Sequence, residues 1–334
     1  MRLPPYLAEA VQEEIGQIEG RRLAQAAAQI SQCYQAGDFS SSAIMNSAQR
    51  AAYLAVRLPA IYAVNQRIFS EVRSLSPQSE IASVLDLGAG PGTAFFAAAE
   101  IFPELQHATL LEADDGWISL GKKLAAHSSL AAVRGAQWIK HDLRSGFSCD
   151  GHDLAVISYA LGELNTAAAE AVVRKAWSCA RQFLVVIEPG TPRNFAGINA
   201  ARSLLIANGA EILAPCPHKH LCPMAARGDW CHFAQRIERT SQHRQLKGGA
   251  LGYEDEKFSY LVASRTPSAT QLPRILRHPG KHSGHVQLEL CMPDGQMEHR
   301  TITRSQKQAY RLARKAAWGD VWKNDREKGA SEKE

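Results

Sequence analysis

Apolar residues recur at helical spacing through the first quarter of the chain, at Ile15, Ile18, Leu23, Ala26, Ala27 and Ile30. Gly37-Asp38 breaks this pattern, and Ser40, Ser41 and Ser42 are N-cap candidates for a second helical run from about Ala43 towards Leu75. Pro59 lies inside that run and predicts a kink or a split. Residues 1–78 therefore read as an N-terminal helical cap without obvious chemistry of its own.

From residue 80 the period changes. Short apolar runs at Ala82–Leu87, Ala108–Leu111, Gln137–Lys140, Leu154–Ser158 and Phe183–Ile187 alternate with helical patterns over 92–102, 115–127, 165–180 and 194–208. Such alternation predicts an α/β fold, with a parallel, doubly wound sheet covered on both faces. Phe233–Ile237 and Phe258–Ala263 are candidate later strands, so this domain is set at 79–265, with a Cys-rich insertion at 214–232. Residues 266–334 form a basic extension. Leu272–Arg277 and His285–Cys291 resemble short strands, Pro293-Asp294-Gly295 a turn, and Arg304–Ala317 a basic helix.

Composition narrows the class. At 334 residues, with 45% hydrophobic and 21% charged positions, the chain can bury a sizeable core. Mean hydropathy is −0.24, and no apolar run reaches the ~18 residues of a membrane span. Glu9, Glu13 and Glu14 fall where a signal peptide needs apolar residues, which disfavours secretion. An odd count of seven cysteines does not resemble a disulfide framework. Net charge is +5, divided as −3 over residues 1–215 and +8 over 216–334. The basic part suits a polyanion such as nucleic acid, or simply a solvated surface.

The sharpest local motif is Val84-Leu85-Asp86-Leu87-Gly88-Ala89-Gly90-Pro91-Gly92-Thr93, a glycine loop between strand and helix. Asp86 ends the strand, Glu112 ends the next strand where an acid can hold ribose hydroxyls, and Asp142 ends the third, near where an adenine would lie. The third glycine comes one residue too early for a dinucleotide fingerprint, and no GK[ST] follows for a phosphate loop. The order is similar to class I S-adenosylmethionine-dependent methyltransferases, with cofactor-binding candidates Asp86, Gly88, Gly90, Gly92, Glu112 and Asp142. The segment after the fourth strand, Ser158-Tyr159-Ala160-Leu161-Gly162-Glu163-Leu164, lacks the Pro-Pro motif of amine methylation and the cysteine of C5 methylation. Tyr159 and Glu163 are the acceptor-side candidates, with a helix-start role as the equal alternative for Glu163, and no catalytic acid/base pair can be named.

Cys216, Cys222 and Cys231 fall within 16 residues, the first two beside prolines, and Cys291 lies next to another proline turn. Four thiolates suit zinc, with His218, His220 or His232 as substitutes for one of them, or a four-iron cluster. Spacing does not choose between the two. Cys33, Cys149 and Cys179 stand apart as bystanders, Cys179 as a helix core residue.

Taken together, VLDLGAGPGTA at 84–94, ALGEL at 160–164, VVIEPGTPRNF at 185–195, APCPHKHLCP at 214–223, WCHFAQRIER at 230–239 and YEDEKFSYLVASR at 253–265 resemble the Rsm-twenty-two family, methyltransferase-like proteins of the mitochondrial small ribosomal subunit with bacterial relatives. The resemblance implies a Rossmann-like class I methyltransferase fold with a metal-bound C-terminal extension. It implies S-adenosylmethionine and a 4Fe-4S cluster as cofactors, the latter on Cys216, Cys222, Cys231 and Cys291, with zinc as the alternative. The implied partner is the small ribosomal subunit and its 16S rRNA, with no membrane or DNA partner. The implied role is subunit assembly and translation, with rRNA methyl transfer as its enzymatic form. A non-catalytic rRNA-binding assembly factor and a small-molecule methyltransferase with a structural zinc site are the alternatives. Without an Arg-rich, acid-poor leader in this sequence, the expected setting is a bacterial cytoplasm, or the mitochondrial matrix for a eukaryotic chain. Arg236, Arg239, Arg244, Lys247, Arg265, Arg274, Arg277, Lys281, Arg300, Arg304, Lys307, Arg311, Arg314 and Lys315 then read as phosphate-facing. Trp230, Phe233, Tyr253 and Tyr260 are either base-stacking or, more simply, core.

Overall fold

Strands β1 (Ser83–Leu87), β2 (His107–Glu112), β3 (Gln137–Lys140), β4 (His152–Ser158) and β5 (Ala180–Pro189) form a parallel sheet ordered β3-β2-β1-β4-β5. This computed structural model describes residues 2–36, 46–239, 243–244, 246, 251–267 and 271–323, without the side chains of 33–36. The Ser40–Ser42 caps, Lys247 and the side chain of Cys33 lie outside the described residues.

Helices α5 (Thr93–Ile101), α6 (Asp115–Ala126), α7 (Ala131–Arg134), α8 (Thr166–Cys179) and α9 (Pro192–Ala207) cross between the strands. Alternate residues of each strand enter separate cores. Val84, Leu110, Val156, Val185 and Val262 face one, and Leu85, Leu111, Ile157, Val186 and Leu261 face the other. Burial on both faces explains why these strands read as apolar runs.

The sheet departs from the all-parallel expectation past β5. The 12-residue β8 (Tyr253–Ser264) runs antiparallel to β5, and β6 (Glu211–Ala214) and β7 (Phe233–Glu238) both pair antiparallel with β8. Helix α9 leads from β5 to β6, and β8 lies between those two strands, antiparallel to both.

The N-terminal helices are part of the first core and not an appendage. They are α1 (Pro5–Gly16), α2 (Gly20–Ala36), α3 (Ser47–Val56) and α4 (Leu58–Leu75). The run predicted to be kinked at Pro59 is split at Arg57, with Pro59 in the first turn of α4 where its missing N–H costs nothing. Asn46 and Gln49 cap α3 reciprocally. Arg57 then pairs with Glu256 of β8 at 2.9 Å, and Arg50 with Asp114 at 2.7 Å.

The C-terminal part is a small separate sheet. Strand β11 (His285–Cys291) lies between β10 (Gly280–Lys281) and β12 (Met297–Thr303), and β9 (Arg274–Ile275) pairs with its end. The strand expected over Leu272–Arg277 is reduced to two residues, since only Arg274 and Ile275 reach β11. The hairpin partner β12 was not foreseen. Its Glu298, His299 and Arg300 give it little apolar signal, and only Ile302 is fully buried. Helix α11 (Lys307–Lys315) and Trp322 close this small core, after the four-residue α10 (Pro223–Ala226) of the Cys-rich segment.

Candidate functional site

The chain reverses its direction of winding between β1 and β4, whose carboxyl ends sit side by side. Ligands of open α/β sheets bind in the crevice at such a switch point. The glycine loop leaves β1 there, and Tyr159-Ala160 leaves β4 there.

Gly88, Gly90 and Gly92 have φ of 72°, 54° and 86°, in the left-handed region that favours glycine. Packing also requires two of them. A Cβ on Gly88 would meet Ala160 Cβ at 2.6 Å, and one on Gly92 would meet Trp138 Cη2 at 2.9 Å. Gly90 differs, because a Cβ there meets nothing within 4 Å. Open space therefore faces Gly90, at the tip of the loop. Next to it, the buried Thr93 hydroxyl has no hydrogen-bond partner. An unfilled cradle beside an unpaired buried hydroxyl fits a polar ligand such as S-adenosylmethionine.

The three acidic candidates diverge. Asp86 is buried and accepts the Phe95 N–H at 3.2 Å, and burial raises its carboxyl to about 7. Glu112 accepts the N–H groups of Gly90 and Asp114, and burial raises its carboxyl despite them. Asp142 caps a short turn and binds Arg144 in a bidentate pair, which holds its carboxyl below the usual range. Glu112 is hydrogen-bonded to the loop tip and Asp86 to the first turn of α5, whereas the Asp142 carboxylate is engaged by Arg144.

Past β4, Tyr159 adopts φ 59°, a strained conformation for a bulky residue. Its N–H donates to Ile187 O at 2.8 Å, and its hydroxyl donates to Glu256 at 3.2 Å. Burial raises that hydroxyl well above its ordinary value. Glu188, a residue that sequence reasoning missed, ends β5 nearby. It is buried, accepts the Leu161 N–H at 2.7 Å, and burial raises its carboxyl to about 8. The acid inside the otherwise apolar run FLVVIEP was the available signal. Asn194 adds a buried side-chain NH2 without a partner.

The second candidate site is a pocket between the large sheet and the C-terminal module. Cys216, Cys222, Cys231 and Cys291 all line it, together with Phe195, Met224 and Leu276. None of the four is in a disulfide. Burial raises the Cys216, Cys231 and Cys291 thiols, and neighbouring thiols of the set raise them further. His218, also buried, places Nε2 3.2 Å from Cys291 Sγ, and burial lowers its ring to about 4. The thiols share one pocket, yet among the described residues no three His, Cys, Asp or Glu side chains already stand at coordinating positions. The donor chemistry nonetheless fits a thiolate-bound metal or cluster. Four unbridged thiols from three chain segments converge, and a buried arginine, Arg202, lies against Cys216 and Cys291. Two of the three bystander cysteines are not independent, because Cys149 and Cys179 form a disulfide between the loop before β4 and the end of α8.

The basic residues divide sharply. Arg236 pairs with Asp255, Arg239 with Glu254, Arg277 with Asp229 and Arg300 with Glu298. Arg274 is buried against Glu71, and Arg265 lies over Trp177. Those six serve the fold. Lys281, Arg304, Lys307, Arg311, Arg314 and Lys315 of the C-terminal module remain exposed, the last four on α11. Of the aromatic candidates, Phe233 and Tyr260 are core, Trp230 is half-buried, and Tyr253 is exposed beneath Arg236 at 4.1 Å. No helix among the described residues is long and apolar enough to cross a membrane.

Strand order, glycine loop and switch-point crevice define a Rossmann-like, methyltransferase-fold protein. Residues 47–323 match the family model described as mitochondrial small ribosomal subunit Rsm22, and the chain belongs to that family. The human mitochondrial ribosome assembly protein METTL17 is 28% identical over 80% of this chain and 61% of its own length. A Schizosaccharomyces pombe Rsm22-cox11 tandem protein, also mitochondrial, is 27% identical over 84% of this chain and 44% of its own length. The chain thus spans about three fifths or less of these relatives. Among solved structures, magnesium protoporphyrin IX methyltransferase from Synechocystis with bound S-adenosylmethionine aligns at 13% identity. That alignment has a TM-score of 0.40 and covers 61% of this chain and 79% of that one.

Proposed function

We propose that this protein binds S-adenosylmethionine at the β1–β4 crevice, holds a four-thiolate metal centre, and acts on assembling small ribosomal subunits through their rRNA. The observation that carries this reading is the meeting of Cys216, Cys222 and Cys231 with Cys291 in one pocket. That pocket joins the module bearing the exposed basic helix to the methyltransferase-like sheet. That a human and a Saccharomyces cerevisiae relative are mitochondrial ribosome assembly proteins supports the ribosomal reading.

Gly88, Gly90 and Gly92 bring backbone close to the cofactor, and Thr93 offers its unpaired hydroxyl. Glu112 is placed for the ribose hydroxyls, and Asp86 fixes the start of α5 from below. Bound S-adenosylmethionine supplies an electrophilic methyl group. Cys216, Cys222, Cys231 and Cys291 would hold a 4Fe-4S cluster, with zinc as the alternative occupant. The centre's part is structural: its binding energy orders the basic module against the sheet. The proposed setting is wherever the small subunit assembles, a bacterial cytoplasm or a mitochondrial matrix.

A second reading, rRNA methyl transfer, draws on the strained Tyr159 beside the glycine loop. Strain of this kind clusters at functional sites. Purified protein incubated with labelled S-adenosylmethionine and immature small subunits tests both. Subunit binding without label in rRNA supports the assembly factor. Label that depends on Tyr159 supports the enzyme. Absence of binding to subunits overturns the ribosomal reading altogether.

A further inference from the structure

Arg202 lies on α9 in the wall of the cysteine pocket and is 4% exposed. Its Nη2 donates to the His218 carbonyl oxygen at 2.7 Å and sits 3.5 Å from His218 Nδ1. Its Nε has no hydrogen-bond partner. Among the described residues no carboxylate pairs with it. The neighbouring arginines differ in this respect, since Arg274 is paired with Glu71 at 2.6 Å and Arg277 with Asp229 at 2.8 Å.

A guanidinium keeps its proton in proteins, so Arg202 is a buried positive charge. Such a charge is retained at a cost unless an anion answers it. Beside His218, the thiols that face it are Cys216, which is within side-chain hydrogen-bonding reach of it, and Cys291, which feels its positive charge. As neutral thiols they do not compensate it. As metal-bound thiolates they do. Four thiolates on zinc carry a net charge of about −2, and a resting four-iron cluster with four thiolates likewise carries about −2.

We propose that Arg202 is the counter-charge built for an anionic four-thiolate centre, a positioning residue that favours retention of the metal without ligating it. The proposal rests on the four-thiolate reading above. It has a two-sided consequence. In the metal-free chain Arg202 is uncompensated, and replacing it with an apolar side chain of similar length relieves the fold. In the loaded chain the same replacement removes the partner of the thiolates.

The test compares the full chain, purified anaerobically, as wild type, Arg202→Met and Arg202→Lys. Metal per chain, the rate of metal release to a chelator, and the melting temperature of loaded and chelator-stripped protein are measured. Arg202→Met should release metal faster by about tenfold or more, as is typical for loss of an outer partner of metal ligands. Its stripped form should melt no lower than stripped wild type, and Arg202→Lys should recover part of the retention. Metal release at the wild-type rate overturns the proposal. So does a stripped Arg202→Met chain that melts lower or fails to fold, because the arginine would then serve packing alone. If stripped wild type does not fold either, the release rate decides. A wild-type chain that holds no metal overturns the four-thiolate reading itself and this proposal with it. A loaded wild type with an indifferent Arg202→Met overturns the proposal only.

Discussion

The Glu112 carboxylate accepts the Gly90 N–H at 2.8 Å, so the acid at the end of β2 fastens the tip of the glycine loop. Its other oxygen accepts the Asp114 N–H, tying the loop to the start of α6 as well. The loop is thereby held in shape by the same side chain proposed above for the ribose hydroxyls.

Gly90→Ala separates packing from binding at this loop. The new methyl group meets no protein atom within 4 Å, but φ is 54°. The left-handed backbone costs about 1–2 kcal/mol for a residue with a Cβ. In a domain of this size that lowers the melting temperature by roughly 2–4 °C per kcal/mol. Affinity for S-adenosylmethionine should fall much further, because the methyl enters the open cradle. Calorimetric titration that finds unchanged affinity would place the cofactor elsewhere.

Glu188 makes stability depend on pH in a stated direction. Burial raises its carboxyl to about 8, from an ordinary value of 4.5. A raised folded-state value means that the protonated acid favours folding. Its contribution is complete below about 4.5 and is lost as pH rises to about 8. Glu188→Gln keeps an acceptor for the Leu161 N–H and removes the titration. The melting temperature of the variant minus that of wild type should therefore be greater at pH 8.5 than at pH 5. A difference that is flat, or that falls with pH, refutes the assignment.

Strands β1, β2, β4 and β5 and the helices between them were legible because both sheet faces are buried there and the apolar runs are continuous, while the edge strand β3 offers only the partly buried Trp138 and Ile139. Legibility failed where partners are distant in sequence. Glu71 claims Arg274 and Glu256 claims Arg57, so two arginines that look like surface charge are internal ties. The disulfide between Cys149 and Cys179 was missed for the same reason, since 30 residues separate them. Cys291 was a candidate fourth thiol only as a cysteine beside a proline turn, and the family resemblance set it with the other three. No local pattern joins it to residues 216–231.

Cys291→Ser removes one thiol from the shared pocket and leaves three. Metal content should drop, and with a 4Fe-4S occupant the visible absorption of anaerobically purified protein should go with it. The melting temperature should fall in parallel, because the structural-metal contribution, on the order of 10 kcal/mol in small peptides, is partly lost. Unchanged metal content in Cys291→Ser would remove Cys291 from the ligand set.

The exposed face of α11 carries the RNA prediction. Ala309, Leu312, Ala313 and Ala316 turn towards the small core, while Lys307, Arg311 and Lys315 form a stripe at four-residue spacing in solvent. Replacing those three with Ala should leave the melting temperature nearly unchanged, as expected for exposed positions outside the core. Affinity for rRNA should fall, and the slope of log affinity against log salt should flatten by roughly 2–3, about 0.7–0.9 for each phosphate that is no longer neutralised. Compared with the single change Arg311→Ala, the matched control is Arg236→Ala. That arginine is as basic in sequence but is already paired with Asp255 at 2.8 Å, so removing it should alter the slope less. An equal effect of the two changes would mean that net charge, and not the α11 face, governs the interaction.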